Sequence, residues 1–134
     1  MERTFAIIKP DAMAAGHADA IISVIEDHGF KVIAQEQRTL SRAEVEEFYA
    51  EHKERSFFPE VVSFMLSGPV TLIALEKQNA IKAWRDLMGA TDPAQAEDGT
   101  IRKQFGTSKG NNATHGSDSP TSAARELGFF FPSL

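Results

Sequence analysis

The sequence predicts an α+β fold in which helices pack on a small antiparallel sheet of four strands. Three observations carry that expectation. Short apolar runs alternate with amphipathic helical segments along the chain. The length of 134 residues is that of one compact domain spanning 1–134. A stretch of roughly thirty residues between Gly89 and Ser119, rich in Gly, Asn, Thr and Ser, lacks periodicity and reads as a long functional loop.

Residues 4–8 are apolar and partly β-branched, and Lys9-Pro10-Asp11 stops them because proline cannot donate to a strand ladder, so they read as a buried strand. Over 19–28, Ile21, Val24, Ile25 and His28 recur at helical spacing, and Gly29 suits the left-handed position that closes a helix. Residues 31–40, with Val32, Ile33 and Thr39 among polar neighbours, predict a half-exposed strand. Ser41-Arg42-Ala43-Glu44 has capping-box spacing, and Val45, Phe48 and Tyr49 supply the apolar stripe of the helix it opens.

Residues 59–66 form a further short helix ended by Ser67-Gly68-Pro69, and 70–75 are a nearly unbroken apolar strand. A helix follows over 79–88, with Ile81, Trp84 and Met88 inward and Gly89 closing it. The long loop has room for one helical turn at 101–105. The last helix covers 120–127, capped by Ser119 with Pro120 at its first position. This order gives a sandwich with helices on one face of the sheet, as in the ferredoxin-like βαββαβ arrangement. The fourth strand that arrangement needs must be short and lie near 111–115.

Composition narrows the function. With 42% hydrophobic and 25% charged residues the chain is globular rather than disordered. A net charge of -5, from 14 Lys and Arg against 19 Asp and Glu, argues against a stable nucleic-acid complex or binding to an anionic membrane. An anionic ligand therefore needs a local basic pocket. The absence of cysteine removes disulfides, thiolate metal sites and Cys nucleophiles, and fits a cytoplasmic location. The N-terminal residues enter structure at once and no apolar run has membrane-spanning length, so a soluble, unprocessed chain is expected.

Chemistry concentrates at Asn112-Ala113-Thr114-His115-Gly116-Ser117-Asp118. An imidazole there sits between small residues at the end of the long loop, just before a helix. Glycine permits close approach of a ligand, and the neighbouring hydroxyl and carboxylates can fix the ring's tautomer. Residue types alone leave two readings open, a nucleophilic or general-base histidine and a hydrogen-bonded loop histidine.

That segment resembles the signature around the active-site histidine of nucleoside diphosphate kinases. Other blocks are similar to the family's in the same order: Arg3 to Asp11, Phe48-Tyr49-Ala50-Glu51-His52, Ser67-Gly68-Pro69-Val70, Met88 to Ala94, and Gly99-Thr100-Ile101-Arg102. The resemblance implies a ping-pong phosphotransferase in which His115 takes the γ-phosphoryl of ATP or another nucleoside triphosphate and passes it to a nucleoside diphosphate. It implies that Ser117 and Glu126 orient the imidazole, that Lys9 stands against the transferred phosphate and sugar hydroxyl, and that Tyr49 supports that lysine.

By the same resemblance, Arg85, Thr91 and Arg102 hold the nucleotide phosphates, where a planar guanidinium donates two hydrogen bonds to an oxyanion. His52 and Arg55 match a neighbouring phosphate-side cluster, Asn112 a sugar-hydroxyl contact, and Phe57 the aromatic that stacks on the base, with Phe58 assigned to the core. Stacking accepts any base because every base has a π face. Magnesium is expected on the nucleotide phosphates, without a dedicated protein cage. The family forms homohexamers or homotetramers built from a common dimer, and the apolar run Phe129-Phe130-Phe131 suits a subunit contact.

The chain departs from the family pattern at three positions. Lys109 stands where an apolar residue commonly packs on the base, Ser56 where proline often precedes the stacking aromatic, and Asp19 where glycine often opens the first helix. A non-catalytic nucleotide-binding regulator on the same fold would keep the phosphate-binding cations, but it would have no use for the set His115, Ser117 and Glu126. An interaction protein would leave Lys9, Arg85, Arg102 and His115 unexplained.

Overall fold

The structure, a computed structural model, describes residues 1–134. Strands Glu2–Ile8 (β1), Lys31–Arg38 (β2), Val70–Lys77 (β3) and Thr114–Gly116 (β4) form one antiparallel sheet in the order β2-β3-β1-β4. β1 therefore lies between β3 and β4, and β2 is an edge strand with a register shift between Val32 and Ala34. Its half-exposed pattern agrees with the polar residues that interrupt its apolar ones.

Seven helices complete the fold: Pro10–Ala14 (α1), Ala18–Asp27 (α2), Arg42–Phe48 (α3), Phe58–Met65 (α4), Ala80–Met88 (α5), Ile101–Phe105 (α6) and Pro120–Phe130 (α7). Single 3-10 turns occupy Ala50–His52 and Pro93–Gln95. The expected capping box forms, with Ser41 Oγ accepting the Glu44 amide and Glu44 accepting the Ser41 amide. No helix is long and apolar enough to cross a membrane.

Helices cover both faces of the sheet, not one. Side chains alternate across a strand, so β1 serves two cores. Ala6 and Ile8 join Ile21 and Ile25 of α2 and Trp84 and Met88 of α5. Phe5 and Ile7 join Val45 and Phe48 of α3, Val62 and Met65 of α4, and Phe130 of α7. The reason was in the strand itself: residues 4–8 are buried throughout, which a sheet with one solvated face does not allow.

Two further differences from the sequence reading concern short or terminal elements. α1 has only five residues, too few for a periodic signal, and begins with Pro10 at its first turn. α7 runs three residues beyond the predicted end because Phe130 is buried against Phe5 and Phe48. β4 is as short as expected, and its register sets the site: Ile7 pairs with His115 and Ile8 with Thr114. The end of β1, which leads into Lys9, is thereby brought beside His115.

Candidate active site

Strand parity decides where His115 points. Paired with Ile7, it faces the α3 and α7 side of the sheet, and its ring stands 5.2 Å from Phe48 and 6.4 Å from Tyr49, centroid to centroid. Gly116, paired with Ala6, faces the opposite side, where Trp84 and Met88 fill the space a side chain would need. The Trp84 indole N–H donates to the His115 carbonyl at 3.3 Å. The histidine is thus fixed by its backbone from one face and by its ring from the other.

On the ring side, Glu126 reaches back from α7. Its Oε1 lies 3.0 Å from His115 Nε2 and accepts the Ser117 hydroxyl at 2.8 Å. Ser117 and Glu126 are buried, and 20% of the His115 side chain remains exposed. A carboxylate only accepts, so this contact favours the tautomer with the proton on Nε2 and the lone pair on Nδ1. Desolvation by its packed surroundings, and after it the Glu126 carboxylate, push the Tyr49 phenol pKa up, so this neighbour stays neutral.

Lys9 follows β1 and caps α1. Its amide donates to the Ala113 carbonyl at 2.8 Å and its Nζ to Asn112 Oδ1 at 2.9 Å. Tyr49 makes no hydrogen bond to it; the tyrosine packs edge-on against Phe48 instead. Burial, and then the Arg102 guanidinium, lower the Lys9 pKa to about 8, while Asp11 opposes them. Asn112 is buried and donates onward to the Thr91 carbonyl at 3.1 Å.

Arg102 spans two segments, donating to the Gly89 carbonyl and the Thr114 carbonyl, each at 3.0 Å, while its Nε is buried without a partner. Burial, and next to it Arg85, bring its pKa down to about 10. A small pocket of about 180 Å³ opens between Arg85, Thr91, Arg102 and His115, with backbone from Gly89, Ala90 and Gly116. No carboxylate lines it, so two guanidiniums and the histidine present an electropositive hollow suited to phosphate. No three His, Cys, Asp or Glu side chains gather as a metal site.

Thr91 also borders a larger cleft of about 620 Å³, lined by Phe57, Glu60, Val61, Phe64, Lys109, Gly110 and Asn111. Phe57 is 44% exposed and offers a free aromatic face there, whereas Phe58 packs against the core. Lys109 lines the cleft beside this aromatic lip. His52 packs at a tilt against Phe57, 5.9 Å between ring centroids, and lies 3.7 Å from Glu51, lining neither cavity, and Arg55 makes no side-chain hydrogen bond.

The structure therefore places Arg85, Thr91, Arg102 and His115 on one hollow, with Glu126 and Ser117 at the imidazole, the Lys9–Asn112 pair bonded to Thr91, and Phe57 at the adjoining cleft. Sequence reasoning missed the supports. Asp11 accepts the Ala113 amide, Trp84 holds the His115 carbonyl, and Gly116 makes room for Trp84. Trp84 was legible only as an inward residue of a helix.

A family model described as nucleoside diphosphate kinase matches residues 2–134. The chain belongs to the nucleoside diphosphate kinase family. Its activity is accordingly transfer of the γ-phosphoryl group from a nucleoside triphosphate to a nucleoside diphosphate. It is 54% identical over 134 residues to the nucleoside diphosphate kinase of Syntrophotalea carbinolica, covering 100% of this chain and 98% of the relative. To the Deinococcus radiodurans enzyme it is 53% identical over 131 residues, covering 98% and 95%. The solved nucleoside diphosphate kinase of Aquifex aeolicus superimposes with a TM-score of 0.97 at 45% identity, over 99% of this chain and 96% of that one. The Halobacterium salinarum enzyme, solved in complex with CDP, gives 0.94 at 39% identity, over 97% and 87%.

Proposed function

We propose that this single-domain nucleoside diphosphate kinase works by a ping-pong cycle through a phosphohistidine on Nδ1 of His115. The observation that carries the assignment is the Glu126 contact at Nε2, which leaves Nδ1 as the nucleophilic nitrogen beside the pocket of Arg85 and Arg102. Nδ1 forms a bond to the γ-phosphorus as the bond to the bridging oxygen breaks, and the nucleoside diphosphate departs. Glu126, held by Ser117, stabilises the charge the ring acquires. A second diphosphate then attacks the phosphohistidine and restores the free imidazole.

Arg85, Arg102 and Thr91 bind the phosphate chain, Lys9 the transferred group and, with Asn112, the sugar hydroxyls. Phe57 stacks on the base, with Lys109 across the cleft, and His52 steadies Phe57. Tyr49 shields the imidazole as a neutral neighbour. The nucleotide enters as its magnesium complex: the phosphate pocket has no carboxylate to hold a cation, so Mg2+ rides on the phosphates. ATP is the expected donor and other nucleoside tri- and diphosphates the partners, in the cytoplasm.

The working form is a homo-oligomer, hexamer or tetramer, built from dimers. The open edge of β2 and the partly exposed Phe129 and Leu134 are surfaces available for such contacts. Exchange of phosphate between ATP and a second nucleoside diphosphate, measured for the native chain and for His115→Gln, tests the assignment. Turnover retained in the variant rejects it.

A further inference from the structure

Two residues before His115 the backbone is held in an unusual conformation. Ala113 has φ of 75°, a region that a residue with a Cβ seldom occupies. The Thr114 amide donates across it to the Asn112 carbonyl at 2.9 Å, closing a three-residue γ-turn. Ala113 is fully buried, and no glycine relieves the conformation. Something must hold it.

The turn leaves the Ala113 amide outside the sheet ladder, and Asp11 Oδ2 accepts it at 3.1 Å. Asp11 lies on α1, which is anchored by the buried Pro10 and Ala12, so the carboxylate stands on a fixed support. The Ala113 carbonyl, on the other side of the turn, accepts the Lys9 amide. One short segment, Lys9 to Asp11, thus clamps both polar groups of Ala113. The same turn presents Asn112 to the Lys9 ammonium and sends the chain into β4 at Thr114.

We propose that Asp11 is a positioning residue for phosphoryl transfer, holding the turn at Ala113 through its amide and so fixing His115 and the Asn112–Lys9 pair. This rests on the assignment of His115 as nucleophile. The essential feature is an oxygen acceptor at the Ala113 amide, and the negative charge is secondary. Asparagine, which carries such an oxygen, can replace it; alanine cannot. Displacing a nucleophile slows the chemical step more than it weakens binding.

The test is rapid-quench measurement of His115 phosphorylation against Mg-ATP concentration in the native chain, Asp11→Ala and Asp11→Asn, at a temperature where circular dichroism shows each folded. Asp11→Ala is expected to lower the limiting rate about tenfold or more, a larger factor than the accompanying rise in half-saturating concentration, and Asp11→Asn to lie within about threefold of the native rate. An undiminished limiting rate in Asp11→Ala overturns the proposal. So does an effect on half-saturation alone, or an Asp11→Asn variant as slow as Asp11→Ala. If Asp11→Ala does not fold, Asp11→Ser, whose hydroxyl stops short of the amide, takes its place under the same criteria. A native chain that forms no phosphohistidine would instead reject the assignment of His115.

Discussion

Glu126 Oε1 lies 3.0 Å from His115 Nε2 and accepts the Ser117 hydroxyl on the same oxygen at 2.8 Å. The contact joins the C-terminal helix to the short fourth strand, so one carboxylate sets both the tautomer and the tilt of the imidazole. Glu126→Ala removes that control and leaves the buried Ser117 hydroxyl without its acceptor. The expected result is a fall in kcat of roughly 10²-fold and a stability loss of about 1–3 kcal/mol. Steady-state kinetics and urea unfolding check the two effects, and Glu126→Gln, which keeps an acceptor oxygen, should lose less of each.

Lys9 predicts a pH dependence. Burial and Arg102 hold its pKa at about 8 in the free protein, against an ordinary 10.5. In the proposed function phosphate oxygens come beside it and favour the charged form, so binding a nucleotide near pH 8.5 should take up protons. Calorimetric titration in two buffers of different ionisation enthalpy measures that uptake, and Lys9→Met should remove it. Folding carries the matching sign. The unfolded chain binds more protons between pH 8 and 10.5, so the penalty of burying a charged Lys9 is full below pH 8 and fades as pH rises through that window.

Arg102 is a strut and, in the proposed function, a phosphate ligand. Its bonds to the Gly89 and Thr114 carbonyls mean that Arg102→Ala should cost stability as well as transfer. Loss of one charged contact to a developing oxyanion is worth about 2–4 kcal/mol, a fall in kcat/KM of roughly 10²–10³-fold. Arg102→Lys should fail to rescue it, because an ammonium cannot bridge two carbonyls with the geometry of a planar fork. Kinetics combined with thermal unfolding separate the two roles; normal kcat/KM in the alanine variant would remove the phosphate contact.

Gly116→Ala should destabilise the strand that carries His115. A Cβ at this position would meet Trp84 Cδ1 at 2.5 Å and Met88 Cε at 2.6 Å, and the indole is packed in the core. Overpacking of this kind costs about 1–3 kcal/mol, read as a lowered midpoint in urea. An unchanged midpoint would show that α5 yields more readily than its packing indicates.

Much of this site was legible in the sequence. Residue types and spacing located the loop and its histidine, and resemblance to a family supplied roles for Lys9, Arg102 and Glu126, which lie far apart in the chain. Local patterns could not show β4, because three residues carry no period and its pairing with β1 is a tertiary fact. Helices on the second face had a signal that the one-face expectation overlooked: residues 5–8 and 72–75 run apolar without polar alternation, as strands covered on both sides do. Asp11 gave no signal, since its partner is a backbone amide 102 positions away.

In the proposed cycle His115 carries the phosphoryl group between two nucleotides. Intact-protein mass spectrometry of the chain mixed with Mg-ATP, repeated after adding a different nucleoside diphosphate, tests it most directly. The expected result is one phosphoryl group gained per chain, lost on addition of the acceptor with appearance of the new triphosphate, and never gained by His115→Ala. Turnover without any phosphorylated chain, or a phosphorylated His115→Ala variant, would contradict it.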